Sequence, residues 1–264
     1  RMDGHSPDYY INVWAVAGLR SACRLLEKIG ETEKLVEWCA LKRRLENAVR
    51  DELFDTYGNE RDLCVSPYPA GVVGNIDRLK EEFVRVYDRI RRNEDGSRKR
   101  EELWTYFEAA QIHNAILLGE RERAWINLDG MLDEGFGMAV YTEGRCGDKE
   151  MLPFGTGHYG RGWLQEGAAA ANMPHNWTSG EMALLLRSLF LVEEETGLRL
   201  LSGVPKEWLK PGKVFGARNM PTSFGKVSFD VQVTASGEVE VHFSQGGDIP
   251  HWIDLPKGAK EATS

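Results

Sequence analysis

Hydrophobic residues in the first two thirds of the chain recur with the spacing of α-helices. Residues 6–29 are apolar nearly all round in their early turns, which indicates a helix that is buried on most of its faces. Ser6-Pro7-Asp8 supplies an N-cap, a proline suited to the first turn and an acid that favours the helix dipole. Residues 31–54 instead carry one apolar stripe among charged positions. The sequence therefore predicts a hairpin made of a buried inner helix and an amphipathic outer helix.

The same alternation returns further along the chain. Residues 78–92 have the pattern of an outer helix, residues 101–118 that of a buried helix, and the stretch to about residue 134 that of another outer helix. A third buried helix is predicted over 178–197, after a long loop at 135–177. These elements predict helical hairpins arranged as an (α/α) toroid. Three hairpins fall short of a closed six-hairpin barrel, so we expect the helical domain to be incomplete.

The hydrophobic period changes from helical to two after Gly197. Residues 198–201, 226–233 and 238–243 alternate apolar and polar side chains and are separated by glycine and proline turns. This pattern predicts three short strands in a small antiparallel β-domain.

The predicted fold is mainly α, with a partial (α/α) toroid over residues 1–197 and a small antiparallel β-domain over 198–264. The chain opens with Arg1 and passes almost directly into the first buried helix, without a signal peptide. We therefore expect the natural amino terminus to lie upstream. The missing half of the barrel or a second copy of the chain would then complete the toroid. Cytoplasmic and secreted locations both stay open.

Composition and charge narrow the classes of partner. The chain has 33 basic and 41 acidic residues, a net charge of −8 and a pI near 5.4. Nucleic acid and anionic membrane surfaces both need a basic footprint, so neither is an expected partner. No apolar run is long enough to cross a membrane. The cysteines have no regular spacing, and Cys23 and Cys39 sit among apolar helical residues, so we expect buried free thiols.

The long loop at 135–177 carries the candidate chemistry. It combines carboxylates, histidines, tryptophans and glycines, which together suit the binding and hydrolysis of a sugar. Glycosidases generally use two carboxyl groups that flank the scissile bond, and aromatic rings that stack on sugar faces. No zinc-ligand spacing, phosphate-binding loop or dinucleotide fingerprint is present, so neither a metal nor a cofactor is expected.

Several motifs together resemble one superfamily. They are Trp104–Gln111, Tyr141–Gly144, Pro174–Met182, Leu200–Leu209 and Pro221–Gly225. Their order is similar to the carboxy-terminal half of bacterial α-L-rhamnosidase-type glycoside hydrolases, which belong to the six-hairpin glycosidase-like superfamily. The resemblance covers roughly residues 8–235, and it defines the superfamily better than the sugar.

The resemblance implies a catalytic role for Glu143. In an inverting mechanism this glutamate would be the base that deprotonates the attacking water. The alternative is a loop carboxylate paired with Arg145. The proton donor of such enzymes lies upstream of the residues present here. Asp3 and Asp8 are the local alternatives, although Asp8 also suits a first-turn helix acid.

A further set of residues is predicted to bind substrate, an oligosaccharide or glycoside. Glu108 lies in a buried-type helix and would line the cavity, or pair with a neighbouring helix. The others are aromatic and polar residues in or beside the loop: Trp104, Tyr141, Arg145, His158, Trp163, His175, Asn176 and Trp177. The last three could instead anchor the loop under the following helix. Glu181 is interpreted as the acid of a capping box with Thr178, and His113 as a core or groove histidine.

Three functional hypotheses stay open. The first is a glycoside hydrolase of the six-hairpin class. The second is a carbohydrate-binding or scaffold protein without catalysis, which an incomplete barrel would favour. The third is another helical-toroid enzyme such as a polysaccharide lyase, with a tyrosine or histidine as its base.

Overall fold

The computed structural model describes residues 9–52, 60–72, 74–88, 102–103, 105–133, 145–146 and 176–262. The chain divides into two compact units, Arg1–Glu102 and Leu103–Ser264. The boundary predicted at residue 197, where the hydrophobic period changes, lies inside the second unit and stays a prediction.

The first unit is built on a helical hairpin. Helices α1 (Tyr9–Ile29) and α2 (Thr32–Glu52) pack side by side, joined by a turn in which Gly30 has a φ of +75°. The Tyr9 hydroxyl donates a hydrogen bond of 2.7 Å to the Val49 carbonyl oxygen and ties the far end of the hairpin. The shorter elements that follow are α3 (Glu60–Val65), a π-helical turn (Ser66–Ala70), α4 (Ile76–Glu82) and a second π-helical turn (Phe83–Asp88).

The second unit begins with helices that share one core. They are α5 (Thr105–Leu117), α6 (Arg121–Asp133) and α7 (Asn176–Phe190). Helix α5 packs against both of the others. Their buried side chains form one apolar cluster that includes Ile112, Leu128 and Leu185. Because α5 is central to this cluster, polar residues on it are removed from water.

Two small mixed sheets follow the helices. The first has the order β3-β4-β8, with β3 (Leu191–Glu193), β4 (Leu198–Leu200) and β8 (His251–Ile253). The second has the order β5-β6-β7-β9, with β5 (Val214–Thr222), β6 (Gly225–Val233), β7 (Glu238–Gln245) and β9 (Lys260–Glu261). Strands β1 (Glu102–Leu103) and β2 (Arg145–Cys146) pair separately.

The helices of the second unit are fastened to its sheets by directed hydrogen bonds. The Trp125 indole N–H of α6 donates to the Gly203 carbonyl oxygen at 2.6 Å. Arg199 on β4 donates to the Leu117 carbonyl oxygen at the end of α5, at 2.8 Å, and to Glu194 at 2.9 Å. Phe190, the last residue of α7, packs against both the helical and the sheet clusters. The helices and sheets of this unit therefore share their packing.

The predicted fold class is wrong. The described residues form seven helices and two small mixed sheets, which is a mixed α/β arrangement and not a clear toroid of helical hairpins. In the second unit, helices and sheets cover each other's apolar surfaces, as Phe190 shows. An outer helix was predicted over 78–92, of which residues 78–88 are described, and there the first unit has a short α4 followed by a π-helical turn.

The predicted antiparallel β-domain is wrong in a related way. Strands β6 and β7 pair antiparallel as expected, but β8 lies parallel to β4 and β9 lies parallel to β7. These added strands, of three and two residues, come from the end of the chain. They are too short to give a period-two signal in the sequence, so the parallel pairs were not expected.

The burial predicted for the first helix is also wrong in part. Val13 and Val16 of α1 are fully buried, but Ile11, Leu25 and Ile29 are between 53% and 60% exposed. The helix packs against α2 on one side and presents apolar residues on another. Among the described residues, no helix is both long enough and apolar enough to cross a membrane.

Candidate functional site

Helix α5 carries a face of buried polar side chains. Glu108, Gln111 and Asn114 are 2%, 1% and 1% exposed. They recur every three residues, so they lie along one side of the helix. Burial of a carboxylate and two amides costs free energy unless each group is hydrogen-bonded. This concentration of polar groups in an interior helix makes the face of Glu108, Gln111 and Asn114, here called the α5 polar face, the leading candidate for a binding surface.

A second buried polar group joins α5 to α7. His113 Nδ1 lies 2.7 Å from Glu181 Oε1, and His113 Nε2 lies 3.0 Å from Ser188 Oγ. All three side chains are buried. A carboxylate only accepts hydrogen bonds, so Nδ1 donates to Glu181, and Nε2 pairs with the Ser188 hydroxyl. His113 lies about 140° around the helix from Glu108, at 100° per residue, so it clamps two helices and does not belong to the α5 polar face.

An aromatic pair lies where α5 and α7 begin. The rings of Tyr106 and Trp177 have centroids 3.7 Å apart with an angle of 35° between their planes. Tyr106 is buried, whereas Trp177 is 46% exposed. Asn176, the first residue of α7, is also exposed. A fixed, partly exposed indole beside an amide can stack on the apolar face of a sugar while the amide binds its hydroxyls.

The predicted site residues divide into those that the structure places and those that it does not. Glu108, Asn176 and Trp177 are placed as described above. The backbone of Arg145 lies in β2, which pairs with β1. The others lie outside the described residues: Asp3, Trp104, Tyr141, Glu143, His158, Trp163 and His175. Their predicted catalytic and binding roles therefore stay predictions.

Two expectations about polar residues of the last helix come out differently. Helix α7 begins at Asn176 and not at the predicted Thr178. The Glu181 carboxylate, interpreted as the acid of a capping box, binds His113 of α5. The expectation that His113 is a core histidine with hydrogen-bonded nitrogens is confirmed.

Sequence reasoning missed other members of this region. Gln111 and Asn114 were not singled out, although their three-residue spacing from Glu108 on a buried-type helix was a usable signal. Tyr106 was overlooked because an aromatic in such a helix reads as core.

Most of the tryptophans that the structure describes are used for packing or lie away from this region. Trp125 and Trp208 meet edge to face, with ring centroids 5.7 Å apart, at the junction of helices and sheets. Trp14 and Trp38 belong to the first unit. Trp252 is 42% exposed but lies on β8 of the first sheet, so Trp177 is the exposed tryptophan that packs against α5.

The described residues contain no group of three histidine, cysteine, aspartate or glutamate side chains arranged to hold a metal ion. What the second unit does offer is the carboxylate and amides of the α5 polar face and, separately, an exposed aromatic ring packed on Tyr106, which lies about 160° around α5 from Glu108. Carboxylates accept hydrogen bonds from sugar hydroxyls, amides both donate and accept them, and indoles stack on sugar rings. This chemistry suits a neutral, hydroxyl-rich ligand better than an anion.

No protein-family model matches the chain, and no curated protein matches it significantly.

Proposed function

We propose that this chain carries part of a glycoside hydrolase, in which the α5 polar face binds the hydroxyl groups of a sugar, Trp177 offers a second contact on the α7 side of α5, and Glu143 activates water. The observation that carries the proposal is the burial of Glu108, Gln111 and Asn114 side by side on one helix. A buried carboxylate in line with two buried amides presents hydrogen-bonding groups that suit the hydroxyl groups of a sugar.

The aromatic pair supports the same function. Trp177 rests on the buried ring of Tyr106 and keeps nearly half of its surface accessible. Packing of this kind fixes the orientation of the indole before a ligand arrives, which lowers the entropy lost on binding. An oligosaccharide or glycoside is therefore the proposed substrate class.

The reaction type rests on the sequence. Glu143 lies in a stretch that resembles the segment of rhamnosidase-type enzymes that carries the catalytic base. Inversion would pair it with a carboxylic acid that protonates the leaving group, and Asp3 is the candidate within this chain.

The experiment is a hydrolysis assay of the full chain against a panel of 4-nitrophenyl glycosides that includes the α-L-rhamnoside. The parent should release nitrophenol from at least one glycoside. Glu143→Gln should lose about 100-fold or more of kcat, because its side chain no longer accepts a proton from water. Asp3→Asn tests the acid in the same assay.

A matched control is Glu122→Gln, which neutralises an exposed carboxylate in the first turn of α6. It should keep the parent's rate. Hydrolysis that survives Glu143→Gln unchanged would overturn the catalytic role of Glu143. A parent that binds the glycosides and hydrolyses none would favour the carbohydrate-binding alternative, and a parent that does neither would overturn the proposal.

A further inference from the structure

Two cysteines occupy the same level of the α1–α2 hairpin. The chain reverses at Gly30 and Glu31, whose N–H groups donate to Glu27 and Leu26 carbonyl oxygens. Cys23 lies seven residues before Gly30, and Cys39 lies seven residues after Thr32, where α2 begins. At 1.5 Å per residue, both lie about 10 Å along their helices from the turn. The antiparallel hairpin therefore brings the two side chains opposite each other.

Contacts between α1 and α2 on the side of the cysteines away from the turn hold the two helices in this alignment. Arg20 of α1 pairs with Glu46 of α2 at 3.5 Å, and the Tyr9 hydroxyl binds the Val49 carbonyl oxygen. These contacts limit sliding of one helix along the other. The cysteine pair is therefore set by the packing of both helices along their length.

The surroundings of the two thiols differ. Cys23 is 8% exposed, whereas Cys39 is half-buried. Burial raises the pKa of the Cys23 thiol to about 11, a hydrogen bond with the Cys39 side chain adds to this, and Lys42 and Arg43 oppose it. The thiols are thus direct neighbours, with Cys39 accessible to reagents in water and Cys23 behind it.

We propose that Cys23 and Cys39 are a redox-sensitive dithiol that closes to a disulfide and staples α1 to α2. This inference concerns the first unit and does not depend on the glycosidase proposal. The sequence did not indicate this dithiol, because the two cysteines are 16 residues apart and become neighbours only when the hairpin folds.

The oxidant is a low-molecular-weight disulfide such as oxidised glutathione. The Cys39 thiolate attacks one sulfur of this disulfide, forms a mixed disulfide and releases one glutathione thiolate. The Cys23 thiolate then attacks Sγ of Cys39 and releases the second. One S–S bond forms in the protein and one is broken in the oxidant, and the two cysteine protons end on two glutathione thiols.

The order of attack follows from exposure and from acidity. The half-buried Cys39 meets the external disulfide first. Closure then waits for the Cys23 thiolate, which is scarce near neutral pH because burial keeps the pKa of this thiol high. The rate of closure should therefore still be rising between pH 8 and pH 9.

The test treats the full chain with oxidised glutathione at pH 8, traps the remaining thiols with N-ethylmaleimide and digests with trypsin. Cleavage yields the peptides Ser21–Arg24 and Leu35–Lys42, each with one cysteine. We expect these two peptides joined by a disulfide, and their release by dithiothreitol. The oxidised chain should also melt about 5 °C or more above the reduced chain, because the bond closes a loop of similar size to the 15-residue loops worth about 3 kcal/mol.

Cys39→Ser should abolish the linked peptide, whereas Cys64→Ala, which removes a buried thiol of α3, should keep it. Cys23→Ser should instead accumulate the glutathione adduct at Cys39. Full alkylation of both cysteines after oxidation, a stable glutathione adduct on the parent, or a link to another cysteine would each overturn the proposal.

Discussion

Helices α1 and α5 differ in how completely they are buried. Helix α1 is the more apolar in its early turns, yet Ile11, Leu25 and Ile29 are exposed. Helix α5 contains Glu108, Gln111, His113 and Asn114, and all four are buried. Both helices were predicted to be buried, so the hydrophobic pattern alone did not separate them.

The difference lies in the neighbours that each helix has. Helix α1 packs along α2 and also contacts the short α3 and the turn Ser66–Ala70, whereas α5 lies between two full-length helices, α6 and α7. A helix held between two full-length helices buries the polar groups on its covered sides, and such groups are kept only where hydrogen bonds or a function compensate. The polar interior of α5 therefore carries more functional information than the apolar surface of α1.

The largest expected effect comes from His113→Ala. This change removes the hydrogen bond to the Glu181 carboxylate and leaves that group buried without its 2.7 Å partner. We expect the free energy of unfolding to fall by about 3–5 kcal/mol, measured by urea denaturation. Ser188→Ala, which removes the weaker 3.0 Å contact of the same ring, should cost only about 1 kcal/mol. Equal losses in the two variants would contradict the view that the carboxylate pairing dominates this clamp.

The next effect concerns the fastening of α5 to the sheets. Arg199→Ala removes bonds to Glu194, to Asp254 and to the Leu117 carbonyl oxygen, and the Arg199 side chain is 14% exposed. We expect a loss of about 2 kcal/mol in the free energy of unfolding.

Arg218→Ala is the matched control for Arg199, because it also removes an arginine–aspartate pair. The Arg218 and Asp230 side chains are 55% and 43% exposed. Its effect should be below about 1 kcal/mol, since water screens the pair. If the two arginine variants had equal free energies of unfolding, the Arg199 contacts between helices and sheets would not contribute to stability.

The contrast along α1 itself gives a smaller effect. Val16→Ala removes two methyl groups from a fully buried position and should cost about 2 kcal/mol. Leu25→Ala removes more apolar surface from a side chain that is 59% exposed, and it should change stability by less than about 0.5 kcal/mol. Thermal denaturation of both variants checks the order, and a larger loss for Leu25→Ala would show that the exposed side of α1 is covered in solution.

The smallest effect is a pH dependence at the junction of α7 and β3. Burial raises the pKa of Glu193, but hydrogen bonds from the Ser223 side chain and backbone, together with Arg187, outweigh burial and lower it overall. A lowered folded-state pKa stabilises the chain above the unfolded value of about 4.3, and this contribution is lost as the pH falls through the folded value.

Glu193→Gln should therefore flatten the fall in stability below about pH 4, by less than about 1 kcal/mol because the carboxylate is partly exposed. Urea denaturation at a series of pH values measures this. Glu207→Gln, at an exposed glutamate of the turn Lys206–Trp208, should follow the parent's curve. If the Glu193 variant lost as much stability as the parent below pH 4, this carboxylate would not contribute to the acid sensitivity of the fold.

The sequence predicted those elements whose signal is local. Helix α1 and strands β6 and β7 have long, regular periods, and the structure contains them. Strand β3 was absorbed into the predicted last helix, because the apolar run around Leu191 fits either period. Strand β5 was missed because Gly216 and Pro221 interrupt its pattern. The packing of helices against sheets could not be predicted from the sequence, because it depends on contacts between residues that are distant along the chain.

The candidate site was predictable to the same degree. The burial of Glu108 followed from its helix, and the sequence named Asn176 and Trp177. The partner of Glu181 did not follow, because a Thr-x-x-Glu spacing indicates a capping box and His113 is 68 residues away. Only folding brings these two residues together.

The central claim, that the α5 polar face binds a sugar, is tested most directly by calorimetric titration in the Glu143→Gln background. The ligand is the 4-nitrophenyl glycoside that the parent hydrolyses, and the background prevents turnover. Adding Glu108→Gln should weaken binding by about 10-fold or more, because a charged hydrogen-bond acceptor for the sugar is lost. The control is Ser188→Ala on α7, which removes the buried hydroxyl that contacts His113 and should leave the affinity unchanged. Equal affinity with and without Glu108→Gln would contradict the account.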